Sequence, residues 1–344
     1  MTAELHRLPA TPATVHWGFF DRARPPAVTV SSGDLVEVEA ITHQAGDAPD
    51  LLMDEGIERV FAEVQDRGPG PHLLTGPIAV TGARPGDVLQ VDILDAAPRL
   101  PYGVNLAAPW GLLREDLPQA RITVFSLDHD VGWGRAAFAF DWTAAPGLEA
   151  IGEIITPGAV TREPALDGVL IPLRPHFGTM GVAPAAPGRH SSIPPGRHGG
   201  NIDNWRIGRG GRMLYPVQAP GALLSVGDPH VSQGDGEISG TALEASLGGL
   251  LRLTLRRDIE LDTPVLETGS ELLVHGFGDD LDDAMLSASR STLDVLEARY
   301  GLSRPDAYAF SSLAVDFTVT QVVDGRRGVH ARIPKSSFPG WAGG

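Results

Sequence analysis

The stretch "IAVTGARPGDVLQVDIL", residues 78–94, alternates apolar and polar residues on both sides of an Arg-Pro-Gly-Asp turn. A period of two is typical of a strand with one buried face, and Gly and Asp favour a tight turn between strands. Residues 27–41, "AVTVSSGDLVEVEAI", repeat this design around Ser-Gly-Asp. Two such units near the start of the chain predict a fold built mainly from β-strands.

The rest of the chain extends this pattern, because its 42 glycines and 29 prolines favour turns between many short strands. Strand character recurs at residues 121–128, 136–142, 221–228, 250–261, 271–277 and 312–323. Residues 282–300 differ, since their apolar residues recur at helical spacing between Asp282 and Gly301, the predicted caps. A second helix is predicted over residues 55–64. The sequence therefore predicts a mainly β fold, with a β-sandwich or barrel-type core and a smaller C-terminal α+β portion.

Three parts are expected along the 344 residues. Residues 1–180 form an N-terminal β-rich part, residues 181–260 a central segment that carries the candidate site, and residues 261–344 the C-terminal α+β part. Within the central segment, residues 182–203 form a long Pro- and Gly-rich loop without periodicity. Loops of this length are functional or disordered. Because this one directly precedes a stretch rich in acids and histidine, a functional role is favoured.

Charge and composition exclude several classes of function. The formal net charge of −16 repels nucleic acids and anionic membrane surfaces, so neither is expected as a partner. The chain has no cysteine, which excludes disulfides, thiolate metal sites and a cysteine nucleophile. No stretch predicts a signal peptide or a membrane span, and a cytoplasmic location is expected.

The segment "GDPHVSQGDGE", residues 227–237, combines three acids, one histidine and three glycines at the end of a predicted strand. In an extended chain, residues two apart point to the same side. Asp228 and His230 are therefore expected on one side, and so are Asp235 and Glu237. Glycines permit close approach of a ligand or another backbone. Such a concentration of oxygen and nitrogen donors is what a divalent metal site requires.

A longer stretch around this segment resembles the acetamidase/formamidase family. It runs over residues 196–244, "GRHGGNIDNWRIGRGGRMLYPVQAPGALLSVGDPHVSQGDGEISGTALE". Four more stretches resemble the same family in the same order: "VHWGFFD", "HLLTGPIAVTGARPGDVLQVDIL", "HFGTMGVAPA" and "LAVDFTVTQVVDG". The resemblance thus covers essentially the whole chain.

The resemblance implies hydrolysis of a short neutral amide, formamide or acetamide, to ammonia and a carboxylate. It also implies a homo-oligomer, expected to be a dimer. Two other routes to amide hydrolysis are closed by the residues themselves: a Cys-Glu-Lys mechanism needs a cysteine, and a Ser-Ser-Lys mechanism needs a suitably placed lysine, whereas the one lysine is Lys335 near the end of the chain. Water activated by a divalent metal is the remaining economical mechanism.

On this reading Asp203, Asp228 and His230 are the predicted metal ligands. Glu237 is the favoured general base, and Asp235 could exchange roles with Glu237 or with Asp203. Zinc fits a mixed set of histidine and carboxylate ligands, and calcium would fit a set made almost entirely of oxygens. Zinc is the preferred expectation.

Four further residues are predicted to contact the substrate or to support the site. Asn201 and Gln233 carry amides that could bind the substrate or the developing oxyanion. His72 and His176 occupy stretches that resemble the family. A ligand or acid role at His72 competes with packing at a strand edge, and His176 is assigned a supporting role.

Two other functions remain open at this point. A non-catalytic β-sandwich could use the same acidic loop to bind a metal and a small ligand, and it would need no general base. A hydrolase of a larger or cyclic amide would share the metal chemistry but would not turn over acetamide.

Overall fold

The structure is a computed structural model that describes residues 3–142 and 152–340. Its strands are β1 Leu5–Leu8, β2 Val15–Trp17, β3 Phe19–Phe20, β4 Val28–Val30, β5 Leu35–Ala40, β6 Leu73–Val80, β7 Val88–Pro98, β8 Tyr102–Ala107, β9 Ala120–Asp128, β10 Trp133–Trp142, β11 Ile171–Pro172, β12 His176–Gly181, β13 His190–Ser191, β14 Gly199–Asn201, β15 Arg212–Pro216, β16 Leu224–Ser232, β17 Leu243–Glu244, β18 Leu247–Arg256, β19 Val265–Glu267, β20 Glu271–Gly278, β21 Asp316–Gln321 and β22 Arg327–Pro334. Its α-helices are α1 Pro49–Leu52, α2 Glu55–Glu63, α3 Leu281–Tyr300 and α4 Arg304–Ala314.

Two large sheets form the body of the protein. One has nine strands in the order β1-β5-β18-β7-β15-β19-β20-β22-β21. The other has eleven strands, with the path β11-β10-β9-β8-β17-β16-β12-β14 and with β6 joining β16 to β2 and β4. Pairing is antiparallel except where β1 meets β5 and where β4 meets β6. The predicted mainly β fold is confirmed.

The main hydrophobic core draws side chains from both sheets. Val38 of β5 and Leu251 of β18 come from the nine-stranded sheet, and Phe177 of β12 and Val226 of β16 come from the eleven-stranded sheet. All four are fully buried. Packing of this kind gives rigid strands. Strand β16 lies inside the second sheet and carries residues 227–232, the first part of the acidic segment 227–237.

The three predicted parts share one sheet. The nine-stranded sheet takes β1, β5 and β7 from residues 1–180, β15 and β18 from residues 181–260, and β19 to β22 from residues 261–344. The division of the chain into three parts, with the candidate site in the central one, stays a prediction. Among the residues that the structure describes, no helix is long and apolar enough to cross a membrane.

The two predicted helices are present, as α3 and α2. Gly301 caps the end of α3 in the left-handed conformation, as expected. The start differs from the prediction, because the N-cap is Asp280, whose carboxylate accepts a hydrogen bond from the Asp283 amide at 2.8 Å. The sequence places four acids close together there, Asp279, Asp280, Asp282 and Asp283, and the local backbone makes the second of them the cap. Helix α4 was not predicted, since residues 312–314 were read as the start of a strand.

We expect Asp280→Ala to lower the free energy of unfolding by about 1 kcal/mol, the usual cost of losing an N-cap side chain. Asp282→Ala is the matched control, since Asp282 is an exposed residue in the first turn and caps nothing. It should cost no more than about 0.3 kcal/mol, the lower end of the helix-dipole effect for an exposed charge. Denaturant unfolding of both variants measures this, and equal losses would contradict the cap assignment.

Candidate active site

Asp228, on β16, lies at the centre of a buried group of histidines and carboxylates. Its Oδ1 is 3.5 Å from His43 Nδ1. Its Oδ2 is 3.6 Å from His72 Nε2 and 3.3 Å from His230 Nε2. Asp228 is only 3% exposed, and the three histidines are buried as well. The histidines His72 and His230 hold the pKa of Asp228 below its ordinary value, although burial alone would raise it. Asp228 is therefore a buried, ionised carboxylate surrounded by three imidazole rings, and its Oδ1 accepts no hydrogen bond within the described residues.

Different parts of the sheet system bring these residues together. His72 directly precedes β6, which pairs with β16 through Leu74 and Gly227. His43 follows the end of β5. Since β6 and β16 are neighbours, the start of one strand lies beside the middle of the other, and the turn after β5 closes over them. Strand pairing thus assembles a site from residues nearly 190 positions apart in sequence.

His230 forms the second half of the group. Its Nε2 lies 3.0 Å from Glu244 Oε1, and its Nδ1 lies 3.2 Å from Gln233 Oε1 and 3.3 Å from His176 Nε2. Burial lowers the pKa of His230, but Glu244 and Asp228 outweigh it and raise the pKa well above the ordinary value. Burial raises the pKa of Glu244 to about 7. His230 Nε2 therefore lies between two carboxylates, a position that favours a proton or a metal ion at this nitrogen.

The hydrogen bonds of His176 determine which nitrogen of His230 carries a hydrogen. His176 Nδ1 lies 2.6 Å from the Arg174 carbonyl oxygen, which can only accept, so Nδ1 donates. Burial lowers the pKa of His176 to about 3, so its Nε2 has a lone pair. Gln233 Oε1 is also an acceptor, because Gln233 Nε2 donates to the Asp203 carbonyl. His230 Nδ1 must therefore donate towards both, and His230 Nε2 is the atom that faces the carboxylates.

The same logic applies to His72. Its Nδ1 lies 3.2 Å from the Ser192 carbonyl oxygen and 2.9 Å from the Ser192 hydroxyl. The carbonyl fixes Nδ1 as a donor, and burial lowers the pKa of His72. Nε2 therefore presents a lone pair towards Asp228. In metal-binding histidines, one ring nitrogen typically donates to a carbonyl or carboxylate and the other is free to bind the metal. His72 has this arrangement.

Three more acids complete the group on its other side. Asp203, Glu237 and Asp324 are each buried, and their ligand oxygens lie within 4.8 Å of one another. Burial is the first cause that raises the pKa of each carboxyl well above its ordinary value, and for Glu237 the neighbouring Asp203 is the second. Three acids this close repel one another, so the site favours protons or a cation between them.

The backbone is strained at the acids of this group. Asp203, Asp228 and Glu237 have φ values of 54°, 48° and 45°, in the left-handed region that side chains other than glycine seldom adopt. Such conformations cost about 1–3 kcal/mol each and cluster at functional sites. Gly178 on β12 allows the close packing, because a Cβ there would lie 2.5 Å from Asp203 Oδ1 and 2.9 Å from Asp228 Oδ2.

The donor set fits a divalent metal ion. Four overlapping triads offer ligand atoms within 4.8 Å: His43–His72–Asp228, Asp203–Asp228–His230, His230–Glu237–Glu244 and Asp203–Glu237–Asp324. Within the described ranges, Asp203 Oδ1, Asp228 Oδ1 and Glu244 Oε2 are buried and accept no hydrogen bond. Buried polar atoms nearly always have a partner, so these oxygens point to a cation.

The predicted ligands Asp203, Asp228 and His230 form one of these triads. Asn201 and Gln233, which were expected to bind substrate, lie next to them. Asn201 Oδ1 accepts a short hydrogen bond from Thr179, whose hydroxyl is 3.5 Å from Asp228 Oδ2. Gln233 Nε2 donates to the Asp203 carbonyl, and Gln233 Oε1 accepts from His230 Nδ1 at 3.2 Å. These contacts orient the group, and the individual roles stay predictions.

The expectation that Asp235 and Glu237 point to one side is wrong. Glu237 is 8% exposed and belongs to the group, whereas Asp235 is an exposed residue that forms a bidentate ion pair with Arg206 at 2.9 and 3.1 Å. The chain between them is not extended, since Gly236 has a φ of 107° and Glu237 a φ of 45°. The catalytic role of Asp235 stays a prediction. Its ion pair with Arg206 anchors the loop that carries Glu237.

Sequence reasoning did not find His43, Glu244 or Asp324. His43 follows a predicted strand in "AITHQAGD", but a single histidine has no spacing to identify it. Glu244 lies within the long stretch that resembles the family, and Asp324 ends the last resembling stretch. These two could have been proposed from the resemblance, whereas His43 required the fold.

We expect Gly178→Ala to weaken metal binding at least tenfold, because the new methyl group would lie 2.5 Å from Asp203 Oδ1 and from His230 Cε1, so these ligand groups must move, and metal sites tolerate about ±0.2 Å. Gly234→Ala is the matched control, since a Cβ at Gly234 meets nothing within 4 Å. Zinc titration by calorimetry, with melting temperatures recorded in parallel, measures the difference. Unchanged zinc affinity in a folded Gly178→Ala variant would contradict the placement of the ligands.

Comparison with known proteins identifies relatives of this chain. The chain is 31% identical over 250 residues to the acetamidase of Mycolicibacterium smegmatis, which covers 62% of this chain and 59% of that protein. It is 32% identical over 247 residues to the formamidase of Methylophilus methylotrophus, which covers 62% of this chain and 57% of that protein. The chain thus matches slightly less than three fifths of the length of these curated relatives.

A solved structure matches over nearly the whole fold. The crystal structure of an acetamidase from Bacillus halodurans has a TM-score of 0.76 and 27% sequence identity, and the match covers 98% of this chain and all of that chain. The sequence model of the acetamidase/formamidase family matches residues 17–191 and 186–339, which include every member of the buried group. The chain belongs to the acetamidase/formamidase family.

Proposed function

We propose that the protein hydrolyses short-chain aliphatic amides, of which formamide and acetamide are the simplest, to ammonia and the carboxylate. The observation that carries the proposal is the buried group around Asp228, in which oriented histidines and unpaired carboxylate oxygens converge within 4.8 Å. Membership of the family supports the reaction class. The matched relatives extend beyond the region shared with this chain, so the activity of the whole chain is part of the proposal.

Nitrogen and oxygen ligands of this kind fit zinc better than calcium, which prefers oxygen alone. Asp228 and His230 would hold the ion together with Asp203, and His43 and His72 supply further nitrogen donors at Asp228. A bound divalent ion would polarise the amide carbonyl and lower the pKa of water. Zinc is therefore the proposed cofactor.

Glu237 is the proposed general base. It is buried, carries no salt bridge to arginine in the described chain, and shares triads with His230 and with Asp203. Its carboxylate would accept a proton from the attacking water while the oxygen bonds to the carbonyl carbon, and would return that proton to the nitrogen as the C–N bond breaks. Ammonia and the carboxylate then leave.

The burial of the site supports a small substrate. His43, Asp228 and Glu237 are 5%, 3% and 8% exposed, so a ligand must fit between packed strands. This limit favours a one- to three-carbon amide over a larger or cyclic one. The homo-oligomeric state, expected to be a dimer, and the cytoplasmic location remain proposals from the sequence.

We expect ammonia release from formamide, acetamide or propionamide by the purified protein, loss of this activity on chelation, and recovery with zinc. Manganese and calcium serve as comparison ions. Activity that survives complete metal removal, verified by elemental analysis, would rule out metal-dependent hydrolysis. No ammonia from any of the three amides would rule out the proposed substrate class.

Replacing Glu237 with Gln should lower kcat by about 10²–10⁴-fold, the usual contribution of a general acid–base group. Asp235→Asn is the matched control in the same loop. It should lower kcat by no more than about fivefold, because a partly exposed ion pair contributes about 1 kcal/mol at most. Steady-state ammonia kinetics compares the two, and a larger loss at Asp235 would reverse the assignment.

A further inference from the structure

Gln44 lies in the short turn that follows β5, next to His43. The side chain of Gln44 is almost completely buried, with 3% of the residue exposed. Nevertheless, neither its Nε2 nor its Oε1 has a hydrogen-bond partner within the described part of the chain. A buried carboxamide without partners is costly, and proteins seldom retain one without a use. The mechanism above does not use Gln44.

The geometry of the turn shows which way Gln44 faces. Residues Ala45–Asp47 form a 3₁₀ turn, and Gln44 is its N-cap. Side chains three residues apart in such a turn lie on the same side, so Gln44 and Asp47 share a face. Burial, and after it the charge of the nearby Glu244, raises the pKa of the Asp47 carboxyl, whose Oδ2 also lacks a hydrogen-bond partner in the described structure. This face is therefore directed towards the buried group.

The neighbouring residue fixes the turn against the same site. His43 Nδ1 is 3.5 Å from Asp228 Oδ1, and the His43 ring packs edge-on against His72 at 5.0 Å between ring centres. The turn is also held from behind, since the Thr42 amide donates to the Ser246 hydroxyl at 3.2 Å. The Gln44 carboxamide is thus attached to a rigid support at the edge of the proposed catalytic group.

We infer that Gln44 recognises the carboxamide of the substrate, an inference that rests on the proposed amide hydrolysis for its biological meaning. A glutamine side chain offers N–H donors and a carbonyl acceptor side by side. A primary amide presents the complementary pair, so two parallel hydrogen bonds form, N–H to O=C in each direction. The two orphaned atoms of Gln44 are satisfied together by this one ligand class.

The same pairing separates substrate from product. A carboxylate accepts a hydrogen bond from Gln44 Nε2, but its second oxygen faces Oε1, and two acceptors repel each other. Acetamide and acetate have nearly the same shape, so the difference in binding arises from hydrogen bonding. Gln44 thus favours the amide before cleavage and releases the carboxylate after it.

The test compares acetamide and acetate binding in a Glu237→Gln background, where the amide is not consumed, by ligand-observed NMR titration of the full-length protein. Gln44→Met keeps the length of the side chain and removes both hydrogen bonds. We expect acetamide binding to weaken about ten- to hundredfold, the usual effect of losing two hydrogen bonds to a ligand. Acetate binding should change less than about threefold, since it uses at most one weak contact.

Gln90→Met is the matched control. Gln90 is also buried, but its Nε2 donates to Asp92 at 2.9 Å and its Oε1 accepts from Arg256 at 3.0 Å. Gln90→Met should lower the melting temperature and leave acetamide binding intact, whereas Gln44→Met should leave the melting temperature unchanged or raise it. Gln44→Leu repeats the test with a second apolar side chain.

Selective loss of acetamide binding in folded Gln44→Met or Gln44→Leu supports the inference. Equal loss of acetamide and acetate, unchanged acetamide binding, or no acetamide binding in the Glu237→Gln protein would overturn it. Ammonia release by the wild-type protein is measured separately. Binding through Gln44 without any ammonia release would contradict the proposed function and leave the recognition of a carboxamide standing.

Discussion

The structure depends on keeping carboxyl groups buried around Asp228. Five of them come together there, each no more than 8% exposed: Asp203, Asp228, Glu237, Glu244 and Asp324. Removing a carboxylate from water costs several kcal/mol even after relaxation of the protein. The histidines offset only a small part of this cost, because burial lowers the pKa of His43 and His72 and so favours their uncharged forms. A bound divalent cation would offset the rest, and this is why the arrangement favours a metal site over a solely structural role.

The fold supplies the rigidity that such a group needs. The acids approach from β16, from β17 and from the turn between β21 and β22, while the histidines approach from β16, the start of β6 and the turn after β5. Direct hydrogen bonds lock the histidine rings, as when the Ser192 carbonyl orients His72. Even the loop that carries Glu237 is held, since the Gly236 amide donates to the Thr320 carbonyl at 2.9 Å. The positive φ values of three of the acids are sustained by this packing.

Much of this arrangement could be predicted from the sequence, and the limits have physical causes. Alternation around residues 78–94 predicted β structure correctly, although β6 is buried along its whole length and β7 has partly exposed residues only from Asp92 onward. Asp228 and His230 were paired correctly, although Asp228 is not in an extended conformation. The same rule failed for Asp235 and Glu237, where the chain turns.

Long-range pairing set the remaining limit. His43 and Gln44 reach the site only because β5 ends beside β16, and no local pattern in "ITHQAGD" reports that contact. Likewise, Asp324 depends on the β21–β22 hairpin meeting the Glu237 loop through the Gly236–Gln321 bridge. Periodicity describes one segment at a time. It therefore cannot predict contacts between residues that sheet topology brings together from distant segments. The family resemblance pointed to the right region of the chain without giving the geometry.

The most direct test of the central claim, that the group around Asp228 is a divalent metal site, is anomalous X-ray diffraction at the zinc edge from crystals of the zinc-loaded protein. The account predicts an anomalous peak about 2.0–2.2 Å from His230 Nε2 or His72 Nε2 and from a carboxylate oxygen of Asp228. A peak elsewhere, or no peak near Asp228 from protein saturated with zinc, would contradict the account.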